Sequence, residues 1–538
     1  MICCGLLNGG LNMILEKCVI GIEFGSTNIK AVMLDENHEI IASNDYAWES
    51  TLKNGIWIYT LEQAKIGLAD CYAGLKKKFE TKYRKPLSKV GAIGISGMMH
   101  GYLVFDKNGE QLAEFRTWKN TICPDAQDQL SALFNFNVPQ RWSVSHIYQA
   151  LLNGEKEVKK IVFATTLAGY MHYLLTGQKV LGANDASGMF PLDKNTKDYD
   201  SQMVEKFNNL VKDKVDWKIL DILPKCLVAG QNAGYLTKEG ALLIDPSGVL
   251  QAGIPFCPPE GDMGTGMIAT NSVRVGYGNS SLGTSGNITL VTDKSIAMNK
   301  EIDVIASPSG YPAVLVHANN CTTDINAWVE LLHQAIVLAG GSIQRGELFV
   351  RLFNKSLEGE PDAGGLVSFN YFSGEAAVGV QEGRPLFVRE PDAKLSLANF
   401  MKSHILAVLA ILRIGVDILK KQGVEVNKIY GHGGFFKTPV VGAKALSAAL
   451  DAPVATLSSA GEGGPYGEAL LAAYMLEKER GETLEDYLQN KIFANAKEDV
   501  AVASKEEVKG FNKFLERYKD AVPVEAKAVE CVKGQHVK

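Results

Sequence analysis

Two stretches of this chain repeat one pattern. FGSTNIKAVML (24–34) and LGTSGNITLVT (282–292) each set a hydrophobe, a glycine and two hydroxyl residues ahead of an apolar strand. A single match of this kind means little. Its position at the start of two successive α/β cycles makes it the mark of a duplicated unit. In the first cycle Cys18–Phe24, Ala31–Leu34, Ile40–Tyr46, Val90–Ile95 and Tyr102–Phe105 read as strands, and Thr60–Tyr83 as a helix. In the second, Val273–Tyr277 and Asn287–Thr292 read as a strand pair and Lys402–Gln422 as a buried helix. Lys428–Tyr430 leads into a glycine-rich turn, and Pro465–Glu477 reads as another helix. Such alternation favours an α/β architecture.

Composition narrows the function classes. The chain has 538 residues, 46% hydrophobic and 21% charged, which suits a soluble globular protein of two or three domains. Its formal net charge of -5 shows no basic excess, so no nucleic-acid partner is expected. No apolar run reaches the roughly 18 residues a bilayer span needs, so no membrane partner is expected either. The nine cysteines are scattered apart from Cys3–Cys4, and none has zinc spacing. That usage fits reduced thiols in a cytoplasmic protein. Residues 1–17 lack a basic start and are interrupted by Gly and Asn. They make a poor signal peptide and read as an N-terminal extension, with Met13 as an alternative start. Beyond residue 480 the chain is more charged. Ser504 and Glu507 have capping-box spacing, and Val508, Phe511, Leu515 and Tyr518 share a helical face. The last fifteen or so residues are expected to be loose.

Several motifs could carry chemistry. Gly25-Ser26-Thr27 and Gly283-Thr284-Ser285 sit between apolar strands, where glycine admits an anion and hydroxyls can donate to phosphate oxygens. Ordinary hairpin turns use the same residues, and neither turn is a P-loop. Glu23 interrupts an apolar strand two residues before Gly25. It is either an outward-facing strand residue or a carboxylate near a metal such as Mg2+. Asp262, in PPEGDMGTG, lies among glycines just before the second cycle, suited to a general base or to capping the next helix. Gly97-Met98-Met99-His100-Gly101 follows a strand end, where His100 could bond a polyol or be a satisfied core histidine. Trp118 in RTWKNT could stack on a sugar or be core. Gly433 and Gly434 permit close approach of a flat group such as adenine, or form a plain turn.

In order along the chain, these pieces resemble the FGGY carbohydrate kinases, and within them the xylulokinase-type pentulose kinases. GIEFGSTNIK resembles the first phosphate motif, GISGMMHG the sugar motif and EGDMGTG the catalytic-base motif. SLGTSG resembles the second phosphate motif, GHGGFFKTP the adenosine motif and AGEGGPYGEALLAAY the closing glycine-rich helix start. The resemblance covers roughly residues 18–478. It implies two actin-like (ribonuclease H-like) ATPase domains flanking a cleft, at 18–269 and 270–480, followed by a helical tail at 481–538. It implies ATP and Mg2+, a sugar substrate, and a homodimer as the assembly common in that family. By the same resemblance Asp262 is the catalytic base, and Met99, His100, Trp118 and Asp262 line the sugar site. Gly25, Ser26, Thr27, Lys30, Gly283 and Thr284 approach the ATP phosphates, Gly433 and Gly434 sit beside adenosine, and Glu23 takes the metal carboxylate's place. The chain departs from the family pattern at Glu23, where Asp is usual, at Met98, where Gln is usual, and in RTWKNT. D-xylulose and L-ribulose are both compatible sugars. The rival readings are an actin-like ATPase without sugar turnover and a sugar-sensing regulator. The first explains both turns but not Asp262 with Met99-His100 and Trp118, and the second would tolerate loss of Asp262, whose motif is intact.

Overall fold

The two central parallel strands of the first sheet form where the sequence runs apolar up to a glycine, at Gly25 and Gly97. β1 (Val19–Phe24) and β2 (Asn28–Leu34) pair antiparallel across the Gly25–Thr27 turn, and β3 (Ile40–Ala47) continues the antiparallel run. α1 (Leu61–Tyr83) starts at Thr60, whose hydroxyl accepts the Gln63 N–H. It buries Ala64, Leu68, Cys71, Leu75 and Phe79 at helical spacing, along the β2–β3 flank of the sheet. β4 (Ala92–Gly97) then returns parallel to β1. After α2 (Ala183–Ser187), β5 (Glu260–Gly261) adds parallel to β4 and runs directly into α3 (Asp262–Ala269). The sheet order is β5-β4-β1-β2-β3.

The second cycle contains β6 (Tyr277–Leu282), β7 (Gly286–Val291), β8 (Ile302–Ala306), β9 (Pro312–Ala318), α4 (Leu397–Lys421), β10 (Lys428–His432) and β11 (Val454–Leu457). After α5 (Gly463–Glu477) come β12 (Glu498–Ala501) and α6 (Lys505–Cys531). Its seven-stranded sheet runs β8-β9-β7-β6-β10-β11-β12. The five strands β11-β10-β6-β7-β9 repeat β5-β4-β1-β2-β3 in order and in strand direction. The duplication read from two glycine turns is therefore a duplication of whole sheets.

The structure is a computed structural model that describes residues 14–457 and 463–533. Residues 1–13 of the N-terminal extension, with Cys3, Cys4 and Met13, lie outside the described residues, as do 460–462 of the closing glycine motif and 534–538 of the tail. The described chain forms two compact units. The first draws on residues within 1–273, 305–312 and 461–495, and the second on 274–304, 313–460 and 496–538. α5 belongs to the first unit because it lies directly on β1. A Cβ on Gly21 would fall 2.1 Å from the Pro465 carbonyl oxygen. Among the described residues no helix is long and apolar enough to cross a membrane.

Two expectations are corrected. The strand read at Val273–Tyr277 is Tyr277–Leu282. Val273 is buried in the first unit, and a turn with Gly276 at φ 80° and a Tyr277 N–H to Arg274 carbonyl bond precedes the strand. The polar run Asn279-Ser280-Ser281 hid it. The tail is not loose from the point expected, because α6 continues through Cys531 despite Pro523. Its capping box at Ser504 and Glu507 is formed, and Phe511, Leu515 and Tyr518 join the core of the second unit. Beyond the proline, buried Glu525 accepts the Arg384 N–H at 2.6 Å, and the Arg384 side chain donates to the Val532 carbonyl. These contacts offset the hydrogen bond that proline removes.

Candidate active site

Three parallel strands of the first unit end in step. Phe24 of β1, Gly97 of β4 and Gly261 of β5 are register partners. The residues that follow them, Gly25, Met98 and Asp262, leave the sheet along one edge. The carboxyl ends of parallel strands are where α/β folds seat ligands.

The Gly25–Thr27 turn is closed by a Gly25 N–H to Asn28 carbonyl bond of 3.0 Å. Its carbonyls are tied back by aromatic donors: the Trp48 indole donates to Gly25 O at 2.7 Å, and the Tyr59 hydroxyl to Ser26 O at 2.6 Å. Thr27 is exposed, and Ser26 accepts at its hydroxyl from the Trp118 indole N–H at 3.2 Å. Trp118 is 40% exposed, so its ring remains open to stacking. Lys30 on β2 is exposed and is the register partner of Glu23.

Glu23 is half-buried on the face covered by α5. A Cβ on Gly464 would lie 2.0 Å from its carboxylate, so the helix can begin there only without a side chain. Burial first, then the nearby Asp262 charge, push the Glu23 carboxyl up to about 7, while Lys30 pulls it down. Asp262 is the first residue of α3. Burial raises its carboxyl to about 6, against hydrogen bonds from the backbone N–H groups of Met263, Met99 and Asp262 itself. Met99 packs against the start of α3, where a Cβ on Gly261 would fall 2.3 Å from its side chain, so the strand-end motif of β4 lies beside the carboxylate that follows β5.

His100 is buried with φ 71°. Its Nδ1–H donates to the Gly188 carbonyl at 3.2 Å, and its ring stacks on Trp142. Burial pushes its pKa down to about 3, so the ring is neutral. With the proton on Nδ1, Nε2 is an acceptor for a hydroxyl.

In the second unit β6 and β10 also end together, with Ser281 opposite His432. Gly433, at φ 95°, comes so close to the end of β6 that a Cβ would sit 2.8 Å from Leu282 O. Gly433 and Gly434 are exposed. The Gly283 carbonyl accepts from the N–H and hydroxyl of Thr322, and the Thr284 carbonyl from the Cys321 N–H, leaving the Thr284 and Ser285 side chains exposed. Gly283-Thr284 and Gly433-Gly434 therefore share one strand-end edge, as the first unit's residues share theirs.

The sequence reading missed a set of buried acids beside Asp262. Asp185 on α2 accepts from the Thr166 hydroxyl at 2.5 Å, and burial pushes its carboxyl up to about 8. Glu260 and Glu468 are fully buried and raised well above the ordinary carboxylate range, chiefly by burial. Glu468 accepts from the Cys257 thiol at 3.2 Å. A signal was present. Glu468 interrupts the apolar run of α5 as Glu23 interrupts β1, and Asn184-Asp185 interrupts an otherwise apolar segment. Among the described residues no cluster of three or more His, Cys, Asp or Glu could hold a metal by itself.

The first unit thus carries Glu23 and Asp262 at its strand ends, and each unit carries a glycine-hydroxyl turn after its first strand. Models of the FGGY family of carbohydrate kinases match this chain twice, the N-terminal domain over residues 18–268 and the C-terminal domain over 278–476. The chain belongs to the FGGY family of carbohydrate kinases. It is 23% identical to a xylulose kinase of Haemophilus influenzae over 444 residues, covering 78% of this chain and 83% of that one. It is 22% identical to a glycerol kinase of Thermococcus kodakarensis, over 52% of this chain and 55% of the relative. A solved gluconate kinase of Lactobacillus acidophilus matches the fold with a TM-score of 0.76 at 18% identity, covering 96% of this chain and 99% of that one.

Proposed function

We propose that the chain transfers the γ-phosphoryl group of ATP to a primary hydroxyl of a ketopentose of the D-xylulose or L-ribulose type, with Asp262 as the base. The observation that carries this reading is the common end of β4 and β5, where Gly97 and Gly261 are register partners and the sugar motif and Asp262 follow directly on one edge. Asp262 accepts or orients the proton of the attacking hydroxyl. The neutral His100 accepts from another hydroxyl through Nε2, and the Trp118 ring face takes the apolar side of the sugar. Ser26, Thr27 and Lys30 in the first unit, and Gly283 and Thr284 in the second, contact phosphate, while Gly433 and Gly434 accommodate adenine. Most of the rate enhancement then lies in positioning and charge stabilisation.

Glu23 and Asp262 are close enough for the charge of one to raise the pKa of the other, and a hard divalent cation suits such an oxygen donor set. Mg2+ is usually held by one or two carboxylates plus substrate phosphates, and Glu23 would hold it here. When bound, it offsets negative charge on the phosphates. The seven described cysteines form no disulfide, in keeping with a cytoplasmic enzyme.

Sugar-dependent ADP release over a panel of ketopentoses, with glycerol and gluconate included, tests the proposal. Turnover confined to a ketopentose supports it. A preference for glycerol or gluconate, or ATP hydrolysis indifferent to every sugar, rejects it.

A further inference from the structure

Two helices of the first unit follow a glycine, and their caps are exchanged: α3 takes its cap from α2, and α2 takes its cap from β5, the strand that leads into α3. The residue before α3 is Gly261 and the residue before α2 is Gly182, and neither can offer a side-chain acceptor to the free N–H groups of its first turn. The Asn184 side chain, on α2, accepts the Gly264 N–H at 2.9 Å, which is the bond an Asn or Ser N-cap would make within α3. The Glu260 side chain, two residues before Asp262, accepts the N–H groups of Asn184 at 3.0 Å and Asp185 at 3.2 Å in the first turn of α2. The exchange has no room for a cap on either helix itself. A Cβ on Gly261 would lie 2.6 Å from the Asn184 side-chain oxygen, and a Cβ on Gly182 would lie 2.2 Å from the Glu260 carboxyl carbon. The Asn184 amide is fixed in turn by donating to the Ala306 carbonyl at 2.7 Å, from the 305–312 segment of the same unit.

We infer that Asn184 and Glu260 are positioning residues for Asp262: their reciprocal capping fixes the first turn of α3, and with it the carboxylate on that turn's first residue. This rests on the reading of Asp262 as the base. Asn184 is fully buried, and Gly264 is only two residues beyond Asp262. A shift at the start of α3 therefore moves the Asp262 carboxylate relative to the Met99 N–H. The Asn184 side chain is buried and taken up by the Gly264 N–H and the Ala306 carbonyl, so its loss is expected to act on turnover and not on binding. A misplaced catalytic group of this kind can cost about 100-fold in rate.

The test compares two side chains of nearly the asparagine shape. Asn184→Asp keeps an oxygen acceptor for the Gly264 N–H and, held protonated by its burial, a donor for the Ala306 carbonyl, whereas Asn184→Leu keeps neither. Kinetics are run with saturating ATP and the preferred sugar of the panel, alongside Asp262→Asn. The expected result is a kcat about 10- to 100-fold below wild type for Asn184→Leu, with both KM values within about 3-fold, and substantial recovery in Asn184→Asp. Glu260→Gln, which keeps its acceptor, should retain most turnover. Equal kcat in the Leu and Asp variants, or a change confined to KM, overturns the positioning role. If Asn184→Leu fails to fold, a kcat in Asn184→Asp as low as that of Asp262→Asn overturns it, and near-wild-type turnover supports it. An active Asp262→Asn removes instead the reading on which the inference stands.

Discussion

The Trp118 indole N–H donates to the Ser26 hydroxyl at 3.2 Å, so the aromatic expected to seat the sugar touches the turn expected to meet phosphate, within a single unit. Trp48 and Tyr59 hold the same turn from its carbonyl side. Three aromatic donors thus hold the turn, two at its carbonyls and one at the Ser26 hydroxyl, while Thr27 stays exposed.

Trp118 then has two separable contributions. Trp118→Ala removes the ring and the donor, and the sugar KM should rise by roughly 10-fold, the scale of one aromatic contact. Trp118→Phe keeps a ring and loses only the hydrogen bond, worth about 0.5–1.5 kcal/mol, so the sugar KM should stay within about 3-fold. Steady-state kinetics with the preferred ketose decides. An unchanged sugar KM in Trp118→Ala places the sugar elsewhere.

The pH dependence should belong to carboxyl groups and not to histidine. A base works when deprotonated, so kcat/KM should rise with pH through the range where Asp262, near 6, ionises. His100, pushed down to about 3, stays neutral throughout that range. His100→Ala should cost about 1–3 kcal/mol in kcat/KM by leaving a substrate hydroxyl unpaired, while the acid limb keeps its position. A limb that disappears in His100→Ala would transfer the ionisation to the imidazole.

Asp185 gives a stability prediction of definite sign. Its folded carboxyl lies near 8, far above the ordinary 3.8, so the folded state holds the proton more tightly than the unfolded chain. The stability this contributes is complete below about pH 4 and is lost as pH rises towards about 8. Asp185→Asn keeps an oxygen for the Thr166 hydroxyl and cannot ionise. Its melting temperature relative to wild type should climb across that window and level off above it. A difference that is flat with pH, in melts at about pH 5, 7 and 9, would show that the Asp185 carboxyl binds its proton equally in the folded and unfolded chain.

Much of this was legible in the sequence because glycine, hydroxyl and acid residues interrupt apolar strands, and an interruption that costs burial energy needs a reason. Glu23 stood out on that ground and Asp262 by its place among glycines before the second cycle, and the Asp262 charge is near enough to raise the Glu23 carboxyl. The repeat of two turns anticipated the repeat of two sheets. What stayed hidden was reciprocal or long-range. Asn184 caps a helix that begins far along the chain, and no local pattern announces such a cap. Tyr277–Leu282 carries the polar run Asn279-Ser280-Ser281, so its burial could not be read from alternation. Arg384 meets Glu525 across a separation over which side-chain spacing says nothing.

The sharpest prediction concerns Asp262 itself. Asn is nearly isosteric, so Asp262→Asn should preserve the fold, and its side-chain oxygen can still accept the Met99 N–H. What disappears is the proton acceptor and its charge. A positioned base typically contributes about 10²–10⁴-fold, and kcat should fall by that amount while sugar affinity stays within severalfold. Removing the Asp262 charge should also lower the Glu23 carboxyl, since that charge is one cause of its elevation. Calorimetric sugar binding and steady-state kinetics on the same variant separate the outcomes. Near-normal turnover would exclude Asp262 as the base. Lost binding with unchanged turnover at saturation would make it a sugar ligand only.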